Sequence, residues 1–362
     1  MSLRSNRKPE LGEVRFGCMP LVYRDPDKLL GWAVLAEKCG FDSIGMIDHL
    51  FHPSGLFSDP AFDVWISLAA IGTRTTKIDL MPVVTDPVRR HPATTAHTIA
   101  TLDQFTKGRA LLQIGCGEAF NIKPLNVSWE KPVSMLEEAV EVIRRLLEAS
   151  EREPATFEGN YFSIRNVYLG LDLFRKPRPP IYVGGWGQRT RALAGALADG
   201  WTPWGESPES CAKAAEDVRK AARLANRTER EFIFANELPT AISNDSEASW
   251  KALAPSCRRM LAIRGDLLHR LGFEIADVEK LRMNECMFQS TDKNSLTKIM
   301  DQIPMEAVRK VAIGGTPDEA IGQIESFRRA GVNEFMLAPV TSEFAKTVKM
   351  YQEHIIPSFK SD

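Results

Sequence analysis

The chain is predicted to fold as an α/β protein, a (β/α)8 barrel forming one domain over residues 1–362, and three observations predict it. Apolar strand-like runs alternate with helix-like runs along nearly the whole length. The run 83–121 reads as strand end, loop, helix and strand, and both of its strands end in polar or glycine-rich turns, as in a parallel βαβ unit with its active face at the strand C-termini. The first strand is not followed by GxGxxG, and the unusual residues fall on several strand ends rather than at one switch point, which argues against an open doubly wound sheet.

Each element has its own signal. VRFGCMPL (14–21) is the first strand. Asp25-Pro26 opens a helix with Leu29, Ala33 and Ala36 on one face, and Gly40 stops it. FDSIGMIDH (41–49) is the second strand, followed by a loop containing His52, Pro53 and Gly55. A helix is expected over 60–75, a third strand over 77–85, and a helix from His91-Pro92 to about Gly108. RALLQIGCG (109–117) is the fourth strand. Val133, Leu136, Val140, Ile143 and Leu147 recur at spacings of three and four, marking an amphipathic helix over 132–149. A hairpin insertion is expected at about 156–170, turning at Gly159-Asn160.

Strand five is PPIYVGG (179–185), followed by a helix over 187–200 and a short sixth strand over 200–204. A polar-faced helix (207–226) leads to strand seven (231–243). Residues 244–313 are longer than one crossover needs and are read as a helical insertion over the barrel mouth. Thr316-Pro317-Asp318-Glu319 is a capping box with proline in the first turn. VNEFMLAP (332–339) is strand eight, and a helix over 343–357 ends the chain.

Bulk properties exclude several functions. A net charge of -1 leaves no electrostatic footprint for nucleic acid or an anionic membrane. No apolar run approaches the ~20 residues of a membrane span, and the polar N-terminal stretch is not expected to act as a signal peptide. The six cysteines form no CxxC pair and are expected to be buried thiols of a cytoplasmic protein.

The candidate chemistry lies at strand ends. Asp48-His49 closes strand two, where a histidine can move a proton near neutral pH or simply cap a loop. Gly115 and Gly117 let a ligand approach the backbone after strand four, and Glu118 follows as a candidate partner acid. Gly184, Gly185, Trp186 and Gly187 end strand five at a helix start, which is a phosphate-binding geometry. Pro82-Val83-Val84-Thr85 puts a proline inside an apolar strand, the mark of special geometry. Arg89, Arg90 and His91 form a cationic loop, fit for an anionic tail or for solvent. Trp186, Trp201 and Trp204 line a pocket or pack in the core. The histidines lack a convergent carboxylate or thiolate set, so no metal is expected.

Together, VTDPVRRHPATTAHTIATLDQFTKGR (84–109) and GCGEAFN (115–121) make the chain resemble the luciferase-like flavin and deazaflavin oxidoreductases, in particular the coenzyme F420-dependent branch. The resemblance covers nearly the whole chain. It implies that His49 exchanges the substrate hydroxyl proton with Glu118 as partner, and that Asp48 and Asn121 lie at the same site. It implies a non-proline cis peptide in the segment Pro82, Val83, Val84 and Thr85 behind the deazaflavin ring, expected between Pro82 and Val83. It also implies that the 184–187 loop holds the cofactor phosphate and that the chain is a homodimer.

The expected function is hydride transfer between F420 and a small-molecule carbonyl or secondary alcohol. Methylenetetrahydromethanopterin reductases share the TDP…RHPA stretch, and phthiodiolone ketoreductases resemble the C-terminal third and the WEKPVSMLEEAVEVIRRL helix before it. A flavin mononucleotide (FMN) monooxygenase and a non-catalytic cofactor-binding barrel are the other readings.

Overall fold

The computed structural model describes residues 13–21, 24–54, 57–228, 232–281 and 292–360. Its main sheet has nine strands: β1 Arg15–Cys18, β2 Ser43–Met46, β3 Asp79–Pro82, β4 Leu112–Ile114, β5 Ile181–Gly184, β6 Gly200–Thr202, β7 Ile233–Ile242, β8 Ile313–Gly315 and β9 Glu334–Pro339. They neighbour one another in the order β3-β2-β1-β9-β7-β6-β5-β4, and every pairing is parallel. Isolated bridges Leu80–Ala110 and Thr85–Ile114 bring β3 against β4 and close the ring. The result is the predicted barrel.

The helices between strands are α1 Pro26–Lys38, α2 Val64–Arg74, α3 Pro92–Thr106, α4 Ala119–Ile122, α5 Pro132–Glu148, α6 Gln188–Leu197 and α7 Pro208–Leu224. Their starts follow local chemistry. The Asp25 and Asp63 carboxylates cap α1 and α2, and Ser207 caps α7. Leu136, Val140, Ile143 and Leu147 of α5 are buried, as their spacing predicts. The principal core lies between the sheet and this ring of helices. A second, smaller core of Met19, Ile47, Met81, Val83, Leu111, Tyr182 and Met336 fills the barrel.

At the N-terminal end of the staves the filling is polar. Ser43 Oγ donates to Glu334 Oε1 at 3.1 Å, the Tyr182 hydroxyl donates to Glu334 Oε2 at 3.4 Å, and Arg15 bridges Asp79 at 2.8 Å. Burial raises the Glu334 carboxyl pKa against the pull of Arg15. This ionic plug seals one end and leaves the other for ligands.

Two elements differ from the sequence reading. A short antiparallel hairpin, Phe51–Ser54 with Phe57–Pro60, stands where a loop was expected. Its proline- and serine-containing strands carry no alternating pattern to mark them. Strand β8, at the end of the segment read as helical, pairs with the last residues of the long β7. With three residues, two of them glycine, it carries no side-chain period and exists through its partner strand. The insertion itself contains α8 Ser246–Ala262, α9 Gly265–Arg270, α10 Lys293–Gln302 and α11 Met305–Arg309 around a core of their own that includes Leu261, Leu267, Leu268, Leu296 and Ile299. Next, α12 Pro317–Arg329 starts with the predicted Thr316–Glu319 capping box, both reciprocal bonds present. The last helix begins at α13 Phe344–Met350 and runs on through a π turn, Tyr351–Ile355. No helix among the described residues is long and apolar enough to cross a membrane.

Candidate active site

The C-terminal ends of the staves surround a cavity of about 920 Å³, closed on one side by Ser256, Arg259, Met260 and Ile263 from the α8 region. His49, just past β2, places Nε2 2.8 Å from Glu118 Oε2. Glu118 stands at the start of the short α4, whose N-cap position it occupies. At that distance the two groups hold one proton between them. Phe120 stacks edge-on against the His49 ring, with centroids 5.2 Å apart, and limits its rotation. Asn121 ties the two strand ends together: its amide nitrogen donates to Glu118 Oε2 at 3.3 Å, and its oxygen accepts from the Leu50 N–H at 3.0 Å.

Asp48 is buried and serves this frame. It accepts from Thr85 Oγ1 at 2.6 Å, and Arg89 Nη1 stands 3.5 Å away. Arg89 also binds Asp86 at 2.6 Å. Burial works against the Arg89 charge, and the carboxylates of Asp86 and Asp48 outweigh it, so the pKa of the guanidinium is raised. The cationic loop is thus neither an anion site nor a solvated turn at Arg89: it clamps the ends of β2 and β3. Arg90 pairs with Asp63 at 2.5 Å.

The floor of the cavity is the segment after β3. The non-proline cis peptide lies between Val83 and Val84, not between Pro82 and Val83 as expected. Pro82 itself is regular: it pairs with Met46, and the Val83 N–H still donates to the Met46 carbonyl at 2.7 Å. The ladder therefore holds through Val83, and the irregularity comes one bond later. Beside it, a Cβ on Gly115 or on Gly184 would come within 2.9 Å of a Val84 methyl. These two glycines leave the room into which the bulge projects. Gly117 adopts φ +82, which carries the chain sharply on to Glu118.

Gly185 (φ +130), Trp186 and Gly187 lead into α6, with Gly187 at its N-cap and no side chain capping its first turn. The three tryptophans divide. Trp201 is buried and donates to the Gly185 carbonyl at 2.6 Å, whereas Trp186 and Trp204 line the cavity. The fully buried Arg264 lies flat on Trp186, its guanidinium carbon 3.7 Å from the ring centroid, and bonds Glu206 at 2.7 Å. Burial pushes the Cys116 thiol up to about 12, so it is no nucleophile near neutral pH.

Sequence reasoning missed one residue here. Glu237 stands in the middle of β7 and faces the cavity, with Thr202 Oγ1 3.5 Å away. Burial, reinforced by the negative charge of Glu118, pushes its carboxyl up to about 8. The available signal was a lone acid inside the apolar run EFIFANELPTAIS.

The sequence profile of luciferase-like monooxygenases matches residues 13–334. The chain belongs to that family. It is 27% identical over 328 residues to the 5,10-methylenetetrahydromethanopterin reductase of Archaeoglobus fulgidus, covering 90% of this chain and 94% of that one. It is 31% identical over 310 residues to the phthiodiolone/phenolphthiodiolone dimycocerosates ketoreductase of Mycobacterium tuberculosis, covering 82% and 80%. Among solved structures it superposes on an F420-dependent secondary alcohol dehydrogenase in complex with an F420-acetone adduct, with TM-score 0.82, 25% identity, and coverage of 96% and 100%. With such relatives, this member of the luciferase-like family is an oxidoreductase.

Proposed function

We propose that the protein is a coenzyme F420-dependent oxidoreductase that moves a hydride between the deazaflavin and a carbonyl or secondary-alcohol substrate. The observation that carries this reading is the His49–Glu118 contact at 2.8 Å, beside a bulge flanked by Gly115 and Gly184. The Val83–Val84 segment offers an apolar support for a planar ring, and the start of α6 offers N–H groups to a phosphate. When bound, F420 supplies or takes a hydride at a ring carbon where flavins carry nitrogen. The protein then handles one proton, shared by the His49–Glu118 pair, which gives it to, or takes it from, the substrate oxygen. Met19, Ile47, Trp129, Leu238, Met260 and Ile263 make much of the cavity wall apolar, which suits an uncharged carbonyl compound. The names of the relatives, two of which include F420 or a ketone reduction, agree with this.

The test is a calorimetric titration with F420 and with FMN, followed by a carbonyl panel with the tighter cofactor in its reduced form. Tighter F420 binding and ketone reduction are expected. Stronger FMN binding would replace this reading with a flavin monooxygenase, and turnover of a methylene pterin alone would replace the substrate class.

We read the chain as one domain with 244–313 inserted at the barrel mouth, acting in a reducing cytoplasm, where its five described cysteines are all free. We also propose a homodimer formed through α2 and α3. Ile66, 73% exposed on α2, and Phe105, 79% exposed on the neighbouring α3, are apolar side chains that such a contact would cover. A monomeric mass by light scattering at micromolar concentration would overturn this.

A further inference from the structure

The barrel order puts β7 four staves from β3 in either direction, diametrically across the cavity from the Val83–Val84 bulge. A planar ring held against this segment would have its other face toward β7. Glu237 lies on that side. Its backbone is fixed at both groups: the N–H donates to the Pro203 carbonyl at 3.0 Å, and the carbonyl accepts from the Gly205 N–H at 2.9 Å. Among the described residues its carboxyl forms no ion pair, and Thr202 Oγ1 donates to it at 3.5 Å.

We propose that Glu237 is a substrate-binding hydrogen-bond donor, a carboxylic acid that reads the oxygen of an uncharged carbonyl or alcohol from the face opposite the bulge. This rests on the F420 reading above and deepens it by naming the substrate class. The charged groups that share the cavity are Arg24, Asp25 and Lys28 at and before the start of α1, Glu118 beyond β4, His49 and Asp48 beyond β2, Asp86 and Arg89 beyond β3, and Arg259 on α8. Of the elements packed on β7, β9 faces Glu237 with the uncharged Met336, and β6 offers Thr202. Glu118 adds negative charge from across the cavity, and with burial it keeps the Glu237 proton in place up to about pH 8. Glu237 keeps its proton throughout turnover; the proton that is transferred belongs to His49 and Glu118.

Two measurements test this. First, infrared spectra of the cofactor-free full chain are taken across the pH range in wild type and Glu237→Gln. The wild-type-minus-variant difference, in which the buried Glu334 carboxyl cancels, should show a protonated-carboxyl carbonyl band that vanishes with a midpoint near pH 8. If the band is already missing at pH 7, Glu237 is ionised and the proposal fails. Second, KM for uncharged ketones is measured with saturating reduced F420, alongside the F420 dissociation constant. Glu237→Leu should raise KM about tenfold, the worth of one buried hydrogen bond, and leave F420 affinity unchanged. Glu237→Gln should recover most of the loss and remove the rise in wild-type KM above pH 8. A leucine variant equal to wild type, or one that loses F420 affinity instead, overturns the proposal. A wild type that fails to bind F420 or to reduce any carbonyl overturns the functional reading, and with it this one. The two failures are distinct, because the second is seen in the unmodified protein.

Discussion

His49 Nε2 and Glu118 Oε2 meet at 2.8 Å although they sit beyond different staves, β2 and β4, with β3 between them. The contact depends on the Asn121 amide, which bonds both the Leu50 N–H and the Glu118 carboxylate. It is a hydrogen-bonded pair held by a third side chain.

If His49 moves the substrate proton, His49→Ala should slow single-turnover hydride transfer by about 3–5 kcal/mol of barrier while F420 binding survives. Glu118→Gln should also slow it. The double variant should lose less than the two single losses combined, because the pair works as a unit. A folded His49→Ala protein that binds F420 and transfers hydride at a near-normal rate would remove His49 from the reaction.

Gly117→Ala tests the turn that delivers Glu118. The residue is at φ +82, and an added Cβ would run into the Ile122 Cδ1 methyl. The strain should cost roughly 1–3 kcal/mol of stability. The larger effect is expected on turnover, since the shift separates Glu118 from His49. Thermal unfolding and single-turnover rates on the same sample separate the two, and an unchanged rate would show that the turn does not set the pair.

Arg264→Met should destabilise the protein by about 3 kcal/mol, because it leaves the Glu206 carboxylate buried with, among the described residues, only Arg270, at 2.9 Å, to offset it. Adding Glu206→Gln should restore part of the loss. Trp186 also loses the guanidinium stacked on it, so F420 affinity should fall in both variants. Urea unfolding and calorimetric titration read the two effects, and unaltered affinity would confine Arg264 to a packing role.

Glu237 makes stability depend on pH with a definite sign. Its folded pKa of about 8 lies above the ordinary 4.5, so between these values the unfolded chain is ionised and the folded one protonated. Stability therefore falls as pH rises from about 4.5 to about 8, and the penalty is constant above that. Water entering the cavity reduces the cost, leaving on the order of 2–4 kcal/mol. Glu237→Gln should flatten this slope by that amount in urea unfolding at pH 5 and pH 8. Parallel wild-type and variant slopes would mean that Glu237 titrates normally.

Much of this was legible in the sequence. The barrel follows from alternating strand and helix patterns, and the capping box at Thr316 from four consecutive residues, because both are written in local periodicity and side-chain type. Asp48, His49, Gly115, Gly117 and Glu118 could be singled out because the C-terminal end of a barrel strand is a place that sequence order alone identifies. Tertiary structure decided what those residues touch. The cis bond falls after Val83 because β3 keeps its pairing with β2 up to that point. Arg89 is a clamp rather than an anion site because folding brings Asp48 and Asp86 to it. Strand β8 exists because β7 is long enough to pair with it. Glu237 looked like an ordinary acid in an apolar run, and its raised pKa comes from burial and from a carboxylate far away in the chain. Local pattern sets where each group leaves the backbone, whereas distance, burial and the field of remote charges arise only when the staves close into a ring.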